Sequence, residues 1–309
     1  MGYGAWGIGQ SMWIGADDRE SLRALERAIE LGLNFIDTAL AYGNGHSEQL
    51  VGKVVRGRSG PVYVATKIPP KNMRWPASGA DDVDVAFPGE HIRSRTEKSL
   101  RNLGIERIDV QQLHVWHDNW LEQGDWLETV QALKREGKIA YFGVSINDHA
   151  PETALGLVRS GNVDTVQVIY NIFDQAPEDE LFPLCRELDI GVIARVPFDE
   201  GSLTGTLTKD TKWPEGDWRS TYFVPANLIP TVERADALKP LVPDGSSMPE
   251  MALRFILANP DVSVTIPGMR KPAHVEANIA ASDAPELPAE LLSELRKHRW
   301  DRTPSEWSQ

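Results

Sequence analysis

Four residues in the first 114 positions combine types that can move a proton. Asp37 closes the apolar run LNFID, Lys67 closes VYVATK, His114 closes VQQLH, and Tyr42 follows Asp37 by five residues in TALAYGNG. If each run is a strand of one parallel sheet, three ionisable groups and a phenol meet at the same edge. A phenol with a pKa near ~10 exchanges protons poorly at neutral pH unless a cation stabilises its phenolate. Lys67 supplies that cation, and Asp37 gives a buried lysine its partner. His114 is placed to hydrogen-bond a substrate oxygen on which negative charge develops. Singly, a strand-end Asp is often a cap, a Lys snorkels and a His is structural. Their joint placement is what points to a site. None of the four donates hydride, so redox chemistry there needs an organic cofactor.

The elements that would position these groups recur along the chain. Residues 18–31 place Leu22, Leu25 and Ile29 on one stripe, with acidic residues opening the run and Gly32 closing it, which predicts an amphipathic helix. LNFID then reads as a buried strand. The same alternation continues with the strand runs PVYVATK, IDVQQLHV, IAYFGVS, DTVQVIY, IGVIARV and VSVTIPG, and GYGAWGIG supplies an eighth. Helical segments are expected at 47–55, 91–103, 125–136, 151–159, 179–188, 248–258 and 274–280. Strands alternating with helices over 309 residues predict a parallel sheet covered by helices. Count and length fit a closed (β/α)8 TIM barrel, and GYGAWGIG lacks the GxGxxG spacing of an open dinucleotide-binding sheet. No linker divides the chain, so one domain over 1–309 is expected, with a C-terminal helix and tail from 285. The connections 68–90 and 197–229 far exceed the roughly two to six residues usual for βα loops. In a barrel both leave the C-terminal face, where active sites sit.

Charge and composition narrow the partners. With 45 acidic against 32 basic residues the net charge is −13, which repels nucleic-acid backbones and anionic membranes. A small-molecule substrate is expected, and any anionic ligand needs a local basic patch. The lone Cys185 forms neither an intramolecular disulfide nor a CxxC metal knuckle, and it suits a reducing compartment. MGYGAWGIGQSMW has no basic or continuous apolar leader pattern, and no window approaches the ~18 apolar residues of a membrane span, so a cytoplasmic protein is expected. Of ten tryptophans, Trp75, Trp116, Trp120, Trp213, Trp218, Trp300 and Trp307 fall in segments that read as loops or tail. Each is either core or part of an aromatic pocket.

Seven segments carry a family resemblance: NFIDTALAYGNGHSEQLVGK, VYVATK, SLRNLGIERIDVQQLH, REGKIAYFGVS, VQVIYN, VPFDEGSLTG and TIPGMRKPAHVEANI. Through them the chain resembles the aldo-keto reductase superfamily of NAD(P)H-dependent (β/α)8-barrel oxidoreductases. The resemblance implies that Asp37, Tyr42, Lys67 and His114 form the catalytic tetrad, with Tyr42 as general acid in reducing an aldehyde or ketone to an alcohol. It assigns Ser145 and Gln167 to the nicotinamide carboxamide. Arg195 stands where many members stack an aromatic on the nicotinamide; its planar guanidinium can stack likewise, or bind substrate or a pyrophosphate oxygen. Gly201, Ser202, Leu203 and Thr204 align with the stretch covering the pyrophosphate through backbone N–H groups. Arg270, Lys271 and His274 match the segment gripping the adenosine 2′-phosphate, at a helix start that itself favours phosphate, and so favour NADP(H) over NAD(H). Asn278 matches the adenine contact.

The chain departs from the family pattern at three places. Gly268 stands where a better-known branch has Lys, which leaves the phosphate contact to Arg270. Ile146 follows Ser145 where Asn is commoner, which displaces Asn147 by one position. The first strand comes almost at once, without the hairpin that plugs the barrel bottom in many members.

Two other readings compete. A metal-dependent barrel hydrolase would use His114, His117 and Asp118 with Asp37, but histidines at i and i+3 cannot point the same way on a strand, and no metal is expected. The second is a redox sensor resembling channel auxiliary subunits, which bind NADP(H) and turn over slowly. Trp6, Trp75, Trp116, Trp218, Trp300 and His117 are candidate pocket residues, each with packing as its alternative.

Overall fold

A computed structural model describes residues 1–58 and 60–302. Eight parallel strands follow one another in sheet order: β1 (Tyr3–Gly4), β2 (Phe35–Asp37), β3 (Tyr63–Ile68), β4 (Ile108–Leu113), β5 (Ile139–Ser145), β6 (Thr165–Ile169), β7 (Gly191–Arg195) and β8 (Val264–Thr265). The sheet closes on itself. Gly2 N–H donates to Thr265 O (2.8 Å) and Gly4 N–H to Pro267 O (2.9 Å), and Gly4 bridges Gly268. Only glycine fits this seam, because a Cβ on Gly4 would lie 2.4 Å from Ile266 O. The expected (β/α)8 barrel is therefore the observed one.

Helices pack around the barrel as the periodicity requires. In Asp18–Glu30 the Asp17 side chain accepts from Glu20 N–H at 2.9 Å, capping the first turn, and Ala24, Leu25 and Ala28 face the sheet. The helix expected at 91 begins at Gly89, whose N–H is taken by Asp125 Oδ1 at 2.7 Å. A larger correction concerns the connection 197–229. It contains a 3-10 turn (Asp199–Thr204) and a short helix (Arg219–Tyr222), and from Pro225 it is already the helix Pro225–Leu238. Pro225 at the first helical position is compatible with that start, whereas Pro230 inside the helix obscures its period. Connection 68–90 likewise contains the turn Val83–Ala86.

Burial sorts the tryptophans. Trp116, Trp120 and Trp126 are almost wholly enclosed, in edge contacts with centroids 5.0 to 6.0 Å apart. On area bookkeeping each such ring contributes roughly 4–6 kcal/mol. Trp116 is thus core and not pocket. Trp300 packs on Phe173 and carries the Arg234 and Arg302 guanidiniums 4.4 and 4.8 Å from its ring, so it anchors the C-terminal segment. Trp307 lies outside the described residues. At the N-terminal mouth the barrel opens on a cavity of about 300 Å³ lined by Met1, Phe35, Tyr63, Val110, Ile193 and Val264. Among the described residues no helix is long and apolar enough to cross a membrane.

Candidate active site

The strand ends bring the four singled-out residues together. Asp37 is the last residue of β2, Lys67 the penultimate residue of β3, and His114 follows β4 directly. Tyr42 sits in a turn after β2 that its own N–H closes on Ala39 O at 3.0 Å. Lys67 Nζ donates to Asp37 Oδ2 (2.5 Å), Thr38 O (2.9 Å) and Tyr42 Oη (3.3 Å), and its side chain is 1% exposed. The His114 ring stands edge-on to the Tyr42 ring with centroids 5.8 Å apart.

Electrostatics set the protonation of this group. Burial pushes the Tyr42 phenol above its usual range, outweighing the pull of the adjacent Lys67. Burial works against the charged Lys67, but Asp37 and Tyr42 prevail and hold it above the ordinary lysine value. His114 is driven well below the ordinary histidine value by burial, then by the charges of Lys67 and Arg195. At neutral pH the site therefore holds a protonated phenol, an ammonium and a neutral imidazole.

Two supporting residues escaped the sequence reading. Asp37 Oδ1 accepts from Gln167 Nε2 (2.8 Å) and Gln112 Nε2 (3.3 Å), so the carboxylate is aimed from two further strands. Gln112 fits because its neighbour across the sheet is Gly143, where a Cβ would meet Gln112 Cγ at 3.2 Å. Two glutamines inside a buried strand run were the available signal. Glu48 lies behind the site, wholly buried, accepting from Thr66 Oγ1 and Asn102 Nδ2 at 2.7 Å each, and burial pushes its carboxyl up. It ties β3 beside Lys67 to two helices. An acid on the buried face of His46–Val55 was its signal.

Aromatic walls flank the group. Trp6 stacks near Tyr42 at 6.1 Å and contacts Trp218 at 5.1 Å, while Trp75 stands edge-on to His114 at 5.7 Å. Of the pocket candidates, Trp6 and Trp75 border the four residues directly, and Trp218 reaches them through Trp6. His117 accepts Asn119 N–H through Nδ1 at 3.1 Å. Asp118 takes Trp116 Nε1 and the N–H groups of Gly156 and Leu157, so it anchors a distant helix and does not face Asp37. Asn147 spends both amide atoms on Ala77: Oδ1 accepts from its N–H (3.0 Å) and Nδ2 donates to its C=O (3.1 Å). This buried side chain thereby clamps the connection that carries Trp75.

The other singled-out residues lie on the same face. Ser145 and Gln167 are register partners on β5 and β6, both buried. Arg195 ends β7, donating to Ile146 O (2.9 Å) and Asp148 Oδ1 (2.5 Å), while its Nε is buried without a partner. Gly201 has φ +111° and open space where a Cβ would be; its N–H and that of Leu203 both donate to Phe198 O. Leu203 buries its side chain fully. Lys271 directly precedes the helix Pro272–Asp283, with Arg270 before it and His274 in the first turn, where burial and then the Lys271 and Arg270 charges hold the imidazole down. Arg270 Nη1 donates to Ile14 O at 3.3 Å. Asn278 is buried with Nδ2 unpartnered, and Gly268 faces open space. Trp13 and Arg219, not singled out from the sequence, join this region: the Arg219 guanidinium lies 4.3 Å from the Trp13 ring, and Trp218 N–H donates to Met12 O at 3.1 Å.

Comparison with known proteins agrees with this architecture. The chain is 31% identical over 297 residues to the NADH-specific methylglyoxal reductase of Escherichia coli K12, covering 91% of this chain and 89% of that one. It is similar in structure to the glycerol dehydrogenase AKR11B4 of Gluconobacter oxydans, with TM-score 0.77, 28% identity and coverage of 99% and 93%. It is also similar to an aldo-keto reductase from Klebsiella pneumoniae in complex with NADPH, with TM-score 0.67, 28% identity and coverage of 96% and 89%. The model of the aldo/keto reductase family matches residues 1–299, and the chain belongs to that family of oxidoreductases.

Proposed function

We propose that the chain reduces a small aldehyde or ketone to an alcohol with NADP(H), reversibly, with Tyr42 as the proton donor. The observation that carries this reading is the contact of Lys67 Nζ with both Asp37 Oδ2 (2.5 Å) and Tyr42 Oη (3.3 Å) beneath a neutral His114. A dihydronicotinamide held here would supply hydride to the carbonyl carbon. Tyr42 gives its phenolic proton to the oxygen as that oxygen becomes an alkoxide. Lys67 stabilises the phenolate left behind, and Asp37, aimed by Gln112 and Gln167, keeps the lysine charged and in place. His114, neutral, offers an N–H to the carbonyl oxygen and so orients it without competing as an acid. Trp6 and Trp75 give the mouth apolar walls beside Tyr42 and His114.

The residues present fit such a cofactor. Ser145 and Gln167 would hold the carboxamide and Arg195, with its unpartnered Nε, would lie against the nicotinamide or pyrophosphate. Open space at Gly201 and Gly268 leaves room beside the backbone, although the Gly201 and Leu203 N–H groups expected over the pyrophosphate already donate to Phe198 O, and the unpartnered Asn278 amide suits an adenine. Arg270, Lys271 and His274 concentrate positive charge at a helix start in a chain of net charge −13, which favours the 2′-phosphate of NADP(H). The Klebsiella neighbour is described with NADPH and the Escherichia coli relative is named NADH-specific, so both cofactors occur among similar proteins and it is the basic cluster that favours NADP(H) in this chain. Names describing a reductase and a dehydrogenase favour turnover over a cofactor-binding sensor.

A carbonyl panel that includes methylglyoxal, with glycerol oxidation as the reverse assay, run with NADPH and NADH side by side, tests the reading. Turnover with a clear NADPH preference is expected, and Arg270→Ala should erode that preference about tenfold. No oxidation of either cofactor by any carbonyl would overturn the assignment.

A further inference from the structure

Arg302 carries a guanidinium from the segment after the helix Ala289–Arg296 into the protein, where its side chain is 2% exposed. Its three partners come from two connections, one after β6 and one after β7. Nη2 donates to the carboxylate of Asp174, which follows β6, and to Asp199 Oδ1 (2.5 Å), which follows β7. Nη1 donates to Tyr222 Oη (3.3 Å), in the short helix beside Trp218. Both carboxylates are themselves held. Asp174 accepts from Asn171 Nδ2 (3.1 Å) and pairs with His149 Nδ1 (2.7 Å), while Asp199 Oδ2 accepts from Ser202 Oγ (2.6 Å).

Asp199 opens the turn Asp199–Thr204, and the backbone there is unusual. Val196, Asp199 and Glu200 have φ of 55°, 45° and 55°, a region that side-chain-bearing residues hold only when their surroundings enforce it. The fully buried Asp199 carboxylate, fixed by Arg302 on one oxygen and Ser202 on the other, is such an enforcement. The hydrogen bonds of Arg302 go to none of Asp37, Tyr42, Lys67 or His114.

We infer that Arg302 is a positioning residue that fixes the turn Asp199–Thr204 in its cofactor-holding shape, and so governs how long NADP(H) stays bound while leaving carbonyl chemistry alone. The inference rests on the cofactor reading above. The planar fork bridges two carboxylates and a phenol at once, a spread that a compact ammonium does not reproduce.

The test is stopped-flow release of NADPH from the wild-type protein, Arg302→Lys and Arg302→Ala, with thermal unfolding recorded alongside. Arg302→Lys keeps the charge and should fold, yet release NADPH about tenfold faster, with the carbonyl KM at saturating NADPH unchanged. Arg302→Ala should release it faster still, and millimolar methylguanidinium should slow that release. Wild-type release rates in both variants would overturn the inference. So would parallel losses in NADPH affinity and carbonyl KM with no response to methylguanidinium, the pattern of general destabilisation. A wild-type protein that binds neither NADPH nor NADH would instead fail the cofactor reading itself.

Discussion

The two long connections over the barrel mouth are held by different physics. The one after β3, which presents Trp75 to His114, is pinned by a neutral clamp: the Asn147 amide reads one backbone unit, Ala77, at two points. Trp120 Nε1 adds a bond to Asp81 O (2.8 Å) and Asn119 Nδ2 one to Gly79 O (2.9 Å), again with neutral donors. The one after β7 is pinned by buried charge. Arg302 bridges Asp174 and Asp199. Burial pushes Asp174 up, but Arg302 and His149 outweigh it and hold the carboxyl below its ordinary value. On the proposed reading the side with the neutral buried clamp faces the carbonyl substrate, its Arg74–Asp81 ion pair being exposed on the Arg74 side, and the side with the buried ions faces an anionic cofactor. A neutral clamp sets shape without adding field, whereas buried ions fix a loop in a single state at a high cost of disruption.

That contrast breaks most readily through stability. Arg302→Ala strands two buried carboxylates and should cost about 3–5 kcal/mol in urea unfolding. Asn147→Ala leaves one N–H and one C=O unpaired and should cost about 1–3 kcal/mol. Equal losses would erase the distinction. Kinetics should sharpen it: Asn147→Ala is expected to raise the carbonyl KM about tenfold while NADPH affinity stays within roughly twofold, the mirror image of Arg302→Lys. A smaller effect concerns pH. Burial, then Asp148 and Asp199, push Glu200 from 4.5 to about 8. Between those values the folded protein holds a proton that the unfolded chain releases, so this group's contribution to stability falls as pH rises through that window. Glu200→Gln removes the penalty. Its melting temperature relative to wild type should climb by a few degrees from pH 5 to pH 9, as followed by calorimetry, whereas Asn147→Ala should show no such trend.

How much of this was legible depended on distance along the chain. Asp37, Lys67 and His114 could be placed because each ends a run whose apolar pattern marks a buried parallel strand, and in a parallel barrel all strand ends of one polarity share a face. Tyr42 came with Asp37 through a short turn. The first strand, of two residues, was the weakest in pattern, since glycine at the closure leaves little side-chain signal. The clamps were illegible. Asn147 meets a residue 70 positions away, and Arg302 meets partners 103 and 128 positions away. Nothing in the local sequence of a tail arginine or a displaced asparagine marks it as buried. Gln112 showed its type but not its partner, because only barrel closure brings β4 within reach of the end of β2. The helix Pro225–Leu238 was hidden by its own prolines.

The central claim is that Tyr42, poised by Lys67, delivers the proton. Tyr42→Phe removes one oxygen from a packed ring and leaves Lys67 paired with Asp37, so the protein should fold and bind NADPH as before. Single-turnover oxidation of bound NADPH by a carbonyl should then fall by a factor on the order of 10²–10⁴ in the variant, with the NADPH dissociation constant unchanged. Undiminished single-turnover rates in Tyr42→Phe would contradict the account.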